Sequence, residues 1–278
     1  MQTDPAASAA LQHGFIKMSS GDNFLYAPLQ STATTAIVIL PPFAEEMNKS
    51  RHLLSALMRQ LAAKGHSCFM LDNYGTGDSD GDLDTATTAI WRTDLLQLLT
   101  LLQQQGFMQV SFIAVRFGVL QLFDLLNQHP LPLTPGKLIF WQPLFSVEKF
   151  WQQFVRIKVA ETMAAGTKIS QKALEQQLNQ GELIEIAGYP ISPAFYHSLL
   201  QMHTALPTSL SQFELSWFET SQLDNIALPV QQQLQQLQQA VAVNFVQLNA
   251  EPYWQTSELA RADALIQLTV QQFCEAIA

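Results

Sequence analysis

Apolar and polar positions follow two different spacings along this chain, and the spacing changes at regular intervals. AIVIL (36–40) is a continuous apolar run, which is typical of a strand buried on both faces of a sheet. Over residues 51–64, leucine and methionine recur at helical spacing, and Gly65 follows in the position where glycine commonly ends a helix. HSCFML (66–71) then returns to the strand pattern.

The same alternation continues to residue 141. It is preceded by two β-like runs around SSGD (19–22), which predict a hairpin. The further predicted elements are a helix over 89–105, a strand over 109–114, a helix over 117–128 and a strand over 137–141. Strands and helices that alternate in this way form a parallel sheet with right-handed crossovers.

Residues 142–207 break the pattern. The predicted elements here are helices over 146–165, 171–179 and 194–203, with an irregular stretch that contains GYP and SP. The sheet pattern then resumes with strands over 213–219 and 241–248 and helices over 230–240 and 258–277. We therefore divide the chain into two parts of one α/β core, 1–141 and 208–278, and a helical lid, 142–207, inserted after the sixth strand.

Composition narrows the classes of protein. The 278 residues carry a net charge of −9 with a pI of about 5.0, which disfavours nucleic acid and anionic membranes as partners. No apolar stretch approaches the roughly 20 residues of a membrane span, and the first residues lack a signal-peptide pattern. Cys68 and Cys274 form no disulfide or CxxC pattern. We expect a cytoplasmic protein without a cofactor.

The predicted order of elements resembles the layout of the α/β-hydrolase fold. Three segments of the sequence are also similar to segments found in enzymes of that fold. PPFAEEMNKS (41–50) stands where serine hydrolases of the lipase and aminopeptidase type keep an oxyanion loop. LDNYGTGDSDGD (71–82) is similar to the D-x-x-G-x-G-x-S segment of those enzymes. FIAVRFGVL (112–120) follows the strand after which G-x-S-x-G belongs. The resemblance implies a pocket at the carboxyl ends of the strands.

More narrowly, the chain resembles the exosortase A system-associated hydrolase 2 family. The matching pieces are LPPFAEEMNKSR (40–51), DNYGTGDSDGD (72–82), the elbow arginine, FWQP (140–143), AGYPISP (187–193) and EPYW (251–254). The resemblance implies a bacterial cytoplasmic protein linked to exopolysaccharide production and protein sorting. It implies no defined substrate.

The predicted elbow is Ala114-Val115-Arg116-Phe117-Gly118. Gly118 is retained and Ala114 is small, so the strained strand-to-helix turn is expected to form. An arginine guanidinium is permanently charged and is no nucleophile, so serine catalysis at this position is excluded. NAEPYWQTSE (249–258), the loop in which the base should lie, contains no histidine.

A hydrolase with displaced catalytic groups is one hypothesis. Ser79, Ser146 and Ser192 are the serines nearest to loops over the pocket, and none has a visible base. His197 and His203 lie in the lid and are the histidines able to reach a pocket.

An acid for such a site would be Glu219 or Asp224, although both are more ordinary as surface carboxylates. A metal site formed by the aspartates of 72–82 lacks the EF-hand spacing with its closing glutamate, and GTGDSDG lacks the GK[ST] ending of a phosphate loop. We therefore expect no metal.

A non-catalytic binding protein is the second hypothesis. The amides of Phe117, Phe43 and Ala44, at the start of a helix and beside Arg116, would cradle an anion such as a carboxylate, phosphate or sulfate. Lys49 is placed at the rim of this site. The partner would be a small anionic or acyl-bearing ligand, or another protein.

Alternatively, Arg116 is paired with a carboxylate and ties loops together across the top of the sheet, since a buried arginine needs a partner. Glu45, Glu46 and Glu251 are the candidate partners, and Glu251 occupies roughly the place of the missing histidine. Trp254 and the lid aromatics are candidate walls of the pocket.

Overall fold

The computed structural model describes residues 12–27, 34–255 and 260–274. Its strands are β1 (Gly14–Lys17), β2 (Asp22–Tyr26), β3 (Thr35–Leu40), β4 (Ser67–Leu71), β5 (Gln109–Val115), β6 (Thr134–Trp141), β7 (Ile184–Ile186), β8 (Tyr189–Ile191), β9 (Glu214–Ser221) and β10 (Val243–Asn249). Eight of them form one sheet in the order β1-β2-β4-β3-β5-β6-β9-β10. The β1–β2 and β2–β4 pairs are antiparallel, and all pairs from β4 to β10 are parallel.

Helices cover both faces of this sheet. They are α1 (Glu45–Ala63), α2 (Thr88–Gln104), α3 (Gly118–Gln128), α4 (Val147–Ala164), α5 (Gln171–Asn179), α6 (Pro193–Leu200), α7 (Leu228–Gln238) and α8 (Asp263–Cys274), with a short 3-10 helix at Thr208–Gln212. Buried side chains of α1 and α8 pack on one face, and those of α2, α3 and α7 pack on the other. Successive strand residues serve opposite faces, as Val38 and Ile39 do. Among the residues described, no helix has the length and apolarity to span a bilayer.

The segment between β6 and β9 holds α4, α5, α6 and a separate antiparallel pair, β7–β8. The prediction of an irregular stretch here is wrong, because β7 and β8 form a hairpin within it. Ala187 and Gly188 both have positive φ, 51° and 81°, and form the two-residue turn of this hairpin. We refer to residues 142–207 as the helical insertion.

Two predicted boundaries near the candidate site residues differ from the structure. The predicted loop over 41–50 is wrong beyond Ala44, because α1 begins at Glu45. The acidic first turn, Glu45 and Glu46, suits the positive end of the helix dipole. The closing helix, predicted over 258–277, is found over 263–274, and residues 256–259 and 275–278 lie outside the described residues.

A third group of buried side chains joins the helical insertion to the segments that follow β3, β4, β5 and β6. Phe43, which follows β3, lies at its centre. The ring centroids of Trp91, Phe117, Phe150, Phe154, Tyr189 and Phe195 all lie within 6.3 Å of that of Phe43. This aromatic cluster positions the candidate site, which lies beside it.

Candidate functional site

The turn between β5 and α3 places Arg116 at its tip. Arg116 has a φ of 52°, a region that costs a bulky residue free energy, and its amide donates to the carbonyl of Trp141 at 3.0 Å. Two residues later, a Cβ on Gly118 would lie 2.2 Å from the carbonyl oxygen of Leu40. Only glycine therefore fits where α3 crosses the end of β3.

The Arg116 guanidinium is almost completely enclosed, since only 7% of the residue is exposed. Its Nη2 donates to Glu46 Oε1 at 2.8 Å and to Gln153 Oε1 at 3.1 Å, and its Nε lies 3.2 and 3.3 Å from the two Glu46 oxygens. Nη1 reaches the carbonyl of Gln142 at 3.5 Å. The guanidinium carbon lies 4.5 Å from the Trp254 ring centroid. Arg116 thus connects the elbow to α1, α4 and the segment after β10.

The structure selects one of the three predicted carboxylate partners. Glu46 forms the forked ion pair, whereas Glu45 accepts a hydrogen bond from Asn48 Nδ2 at 3.2 Å. Glu251 is exposed, and its Oε1 lies 3.4 Å from Gln222 Nε2. The hypothesis that Glu251 pairs with Arg116 is therefore wrong. Glu46 reaches the guanidinium because the early start of α1 places it in the first helical turn.

Two glutamines in the site were missed from the sequence. Gln142 follows β6 with a φ of 45°, and its side chain exchanges two hydrogen bonds of 2.8 Å with Thr220. Gln153 lies on α4 three residues, or about one turn, after Phe150. That spacing was the available signal, because the aromatic residues were already predicted to face the pocket.

Glu219, a predicted candidate acid, ends up half-buried near this cluster. Its Oε2 accepts a hydrogen bond from Trp217 Nε1 at 2.8 Å. Burial raises the pKa of Glu219, against the lowering effect of hydrogen bonds from Trp217 and Gln142 and of the Arg116 charge. Asp224, the other candidate, is exposed.

The two candidate histidines of the helical insertion lie elsewhere. His197 Nε2 lies 3.0 Å from Asn179 Oδ1, and His203 is exposed. Neither is among the described residues that contact the Arg116 guanidinium, which are Glu46, Gln142, Gln153 and Trp254. The structure therefore provides no link between these histidines and the elbow.

The three candidate serines are all engaged in local structure. Ser79 Oγ donates to the carbonyl of Asp72 at 2.7 Å and accepts from the amide of Phe24 at 2.9 Å. Ser146 and Ser192 accept amide hydrogen bonds as the N-caps of α4 and α6. Within the described ranges, no group of three His, Cys, Asp or Glu side chains converges to hold a metal ion.

A cavity of about 300 Å³ lies beside the aromatic cluster. It is lined by Phe43, Glu45, Glu46, Lys49, Phe150, Gln153, Phe154, Arg156, Ile157, Trp254 and Gln255. Five of the nine predicted site residues are among them. Of the others, Ala44 caps α1 with a φ of 53°, Phe117 caps α3 beneath Phe43, and Arg116 is covered by Trp254.

Comparisons with known proteins agree on the fold. Est1E from Butyrivibrio proteoclasticus, solved with ferulic acid bound, superposes with a TM-score of 0.64 at 15% identity, covering 94% of this chain and 97% of that one. Mouse alpha/beta hydrolase domain-containing protein 10 gives 0.60 at 15%, covering 95% and 97%. An alpha/beta hydrolase from Sphaerobacter thermophilus gives 0.53 at 15%, covering 93% and 99%. The chain has an α/β-hydrolase fold, as predicted.

Similarity in sequence is more limited. No family model matches the chain. The mitochondrial palmitoyl-protein thioesterase ABHD10 of Homo sapiens is 27% identical over 95 residues. The match covers 34% of this chain, and the chain spans 30% of the length of that relative.

Proposed function

We propose that this protein is a non-hydrolytic member of the α/β-hydrolase fold that binds a small ligand or a partner beside its elbow. The observation that carries the proposal is the forked Arg116–Glu46 ion pair under Trp254, at the turn where such a fold keeps a serine. A guanidinium held by a carboxylate, an amide oxygen and an indole has no nucleophilic character.

The engagement of Arg116 moves the proposed ligand site away from the tip of the elbow. An anion on Arg116 would have to displace Glu46, whose carboxylate already takes the forked geometry. The adjoining cavity needs no such displacement. We therefore assign ligand binding to the cavity, with Phe43, Glu45, Glu46, Lys49 and Trp254 as its predicted wall.

The resemblance to the exosortase A system-associated hydrolase 2 family supports this placement. Glu46, Arg116, Gln142 and Trp254 come from four separate matching pieces of sequence. All meet at the Arg116 guanidinium. If members of this family share a binding function, the segments that they have in common are expected to meet at one site. We accordingly propose a bacterial cytoplasmic role linked to exopolysaccharide production and protein sorting.

A hydrolase with displaced catalytic groups is the second candidate. It is favoured by the partial sequence match to a palmitoyl-protein thioesterase. Such an enzyme would need a serine and a base within about 3 Å of each other. The engaged hydroxyls of Ser79, Ser146 and Ser192 argue against this candidate.

Labelling with a fluorophosphonate probe, beside a panel of esters and thioesters, separates the two candidates. We expect neither labelling nor turnover by the wild-type protein or by Arg116→Ala. Labelling of the wild type would overturn the proposal, and the labelled peptide would identify the nucleophile. Arg59→Ala, which changes an exposed residue of α1, serves as the control for general effects of losing an arginine.

A further inference from the structure

Two basic side chains flank the cavity without a carboxylate partner. Lys49 on α1 and Arg156 on α4 both line it, and neither belongs to an ion pair within the described ranges. The Glu46 charge is balanced by Arg116, so Glu45 is the remaining acidic group of the lining. The cavity thus carries a local excess of positive charge in a protein whose net charge is −9.

One wall of the cavity is apolar, in contrast to the charged side chains that flank it. Phe150, Phe154 and Ile157 share one face of α4 at helical spacing, and Phe43 and Trp254 complete the wall. The Phe150 and Phe154 rings are stacked, with centroids 5.9 Å apart and an interplanar angle of 10°. Such a surface favours an apolar group that would otherwise contact water.

We infer that the cavity binds a small amphiphilic anion, a short acyl or alkyl chain that ends in a carboxylate or phosphate. This inference rests on the proposed function. The chain packs against the aromatic wall, and the head group binds Lys49 and Arg156, since guanidinium and ammonium groups form charge-assisted hydrogen bonds with such oxygens. Arg116 is already occupied by Glu46, so Lys49 and Arg156 are the cations of the lining that a head group can bind, and their positions set the orientation of the chain.

The size of the cavity limits the chain length. About 300 Å³ lies at the small end of the range of roughly 300–1,000 Å³ for ligand pockets. We therefore choose probes that share an unbranched eight-carbon chain: octanoate and octyl phosphate as anions, 1-octanol as the neutral analogue and octyltrimethylammonium as the cation. Acetate tests the head group alone. Isothermal titration calorimetry measures the affinity of each.

The decisive variant is Lys49→Gln combined with Arg156→Gln. Arg156 is exposed and Lys49 is partly exposed, so the fold is expected to persist when both charges are removed. We expect affinity for octanoate and octyl phosphate to fall about tenfold or more, with no change for 1-octanol. The matched control is Arg59→Gln combined with Lys64→Gln, two exposed cations at the other end of α1, of which Arg59 is about 15 Å along the helix from Lys49.

A second variant locates the binding. Ile157→Trp adds volume at a partly exposed wall of the cavity and is expected to abolish binding of both anions while the melting temperature is retained. Unchanged binding by this variant would overturn the inference, because the probes would then be bound elsewhere.

The outcomes separate the inference from the proposed function. Equal affinity for 1-octanol and octanoate, unchanged in the Lys49/Arg156 variant, would overturn the anion inference and leave a ligand-binding cavity in place. Absence of binding by every probe would overturn the inference. If that absence came with turnover in the ester panel, the proposed function would fail as well.

Discussion

At the scale of a residue, Arg116 is held by contacts from four directions. Burial strips a guanidinium of its hydration, and a single ion pair recovers little of that free energy. The guanidinium also donates to the side-chain oxygen of Gln153 and to the backbone carbonyl of Gln142. The Trp254 ring covers one face of the cation. The planar fork is needed for this arrangement, so lysine is no substitute at position 116.

Removing the charge of Glu46 tests this arrangement directly. Glu46→Gln preserves the shape of the side chain but leaves Arg116 without its anion. We expect the free energy of unfolding to fall by about 1–3 kcal/mol, less than for a fully buried pair because the Glu46 side chain is 24% exposed. Urea unfolding measures the change, and Glu45→Gln is the matched control. In an Arg116→Met background the effect of Glu46→Gln should nearly vanish. Equal losses for Glu45→Gln and Glu46→Gln would refute the specific pairing.

Glu219 offers a second test at this scale, through pH. Because burial raises its pKa in the folded state, Glu219 contributes stability below its unfolded pKa of about 4.3, and this contribution is lost as pH rises through the folded value. Glu219→Gln removes that dependence. We expect the stability of the variant relative to wild type to increase between pH 4 and pH 8. Exposed Glu251→Gln is the control, and parallel pH profiles for wild type and Glu219→Gln would contradict the prediction.

At the scale of an element, the start of α3 depends on Gly118, because a residue with a Cβ does not fit there. Gly118→Ala would drive a methyl group into the carbonyl oxygen of Leu40, so β3 and α3 would have to separate. We expect a loss of about 1–3 kcal/mol or more in the free energy of unfolding. Gly106→Ala is the control, since it has a φ of 93° but open space, and so reports backbone strain without a clash. A larger loss for Gly106→Ala than for Gly118→Ala would contradict the close approach.

The elements themselves were largely predictable from sequence, because periodicity reports which side of a helix or strand is buried. The start of α1 was not predicted correctly, because Pro41 and Pro42 suggested a loop that continued beyond Ala44. Choosing among Glu45, Glu46 and Glu251 was also beyond the sequence. That choice depends on the direction in which each side chain leaves its backbone, and a displacement of one residue in α1 rotates it by about 100°. The spacing of α4 indicates the face on which Gln153 lies, but it does not reveal that its partner is Arg116, 37 residues away.

At the scale of the whole molecule, Phe43 connects units that are distant in sequence. Its ring contacts side chains from α2, α4, α6 and β8 and the cap of α3. The helical insertion is therefore fastened to the sheet through one aromatic side chain and its neighbours, and the cavity lies beside that junction. If residues 142–207 are a separate unit, as the sequence predicts, loosening this junction should affect the insertion before it affects the core.

Phe43→Ala tests that expectation. Removal of a ring that is only 5% exposed should lower the free energy of unfolding by about 3–5 kcal/mol. It should also hasten cleavage by a nonspecific protease within 142–207, measured by mass spectrometry under native conditions, because local opening precedes global unfolding where packing is lost. Phe43→Leu retains most of the volume and should lose less than about 1.5 kcal/mol. Faster cleavage spread evenly over the sheet and the insertion would mean that the two unfold together, and that the predicted boundaries at 142 and 207 do not delimit a unit of their own.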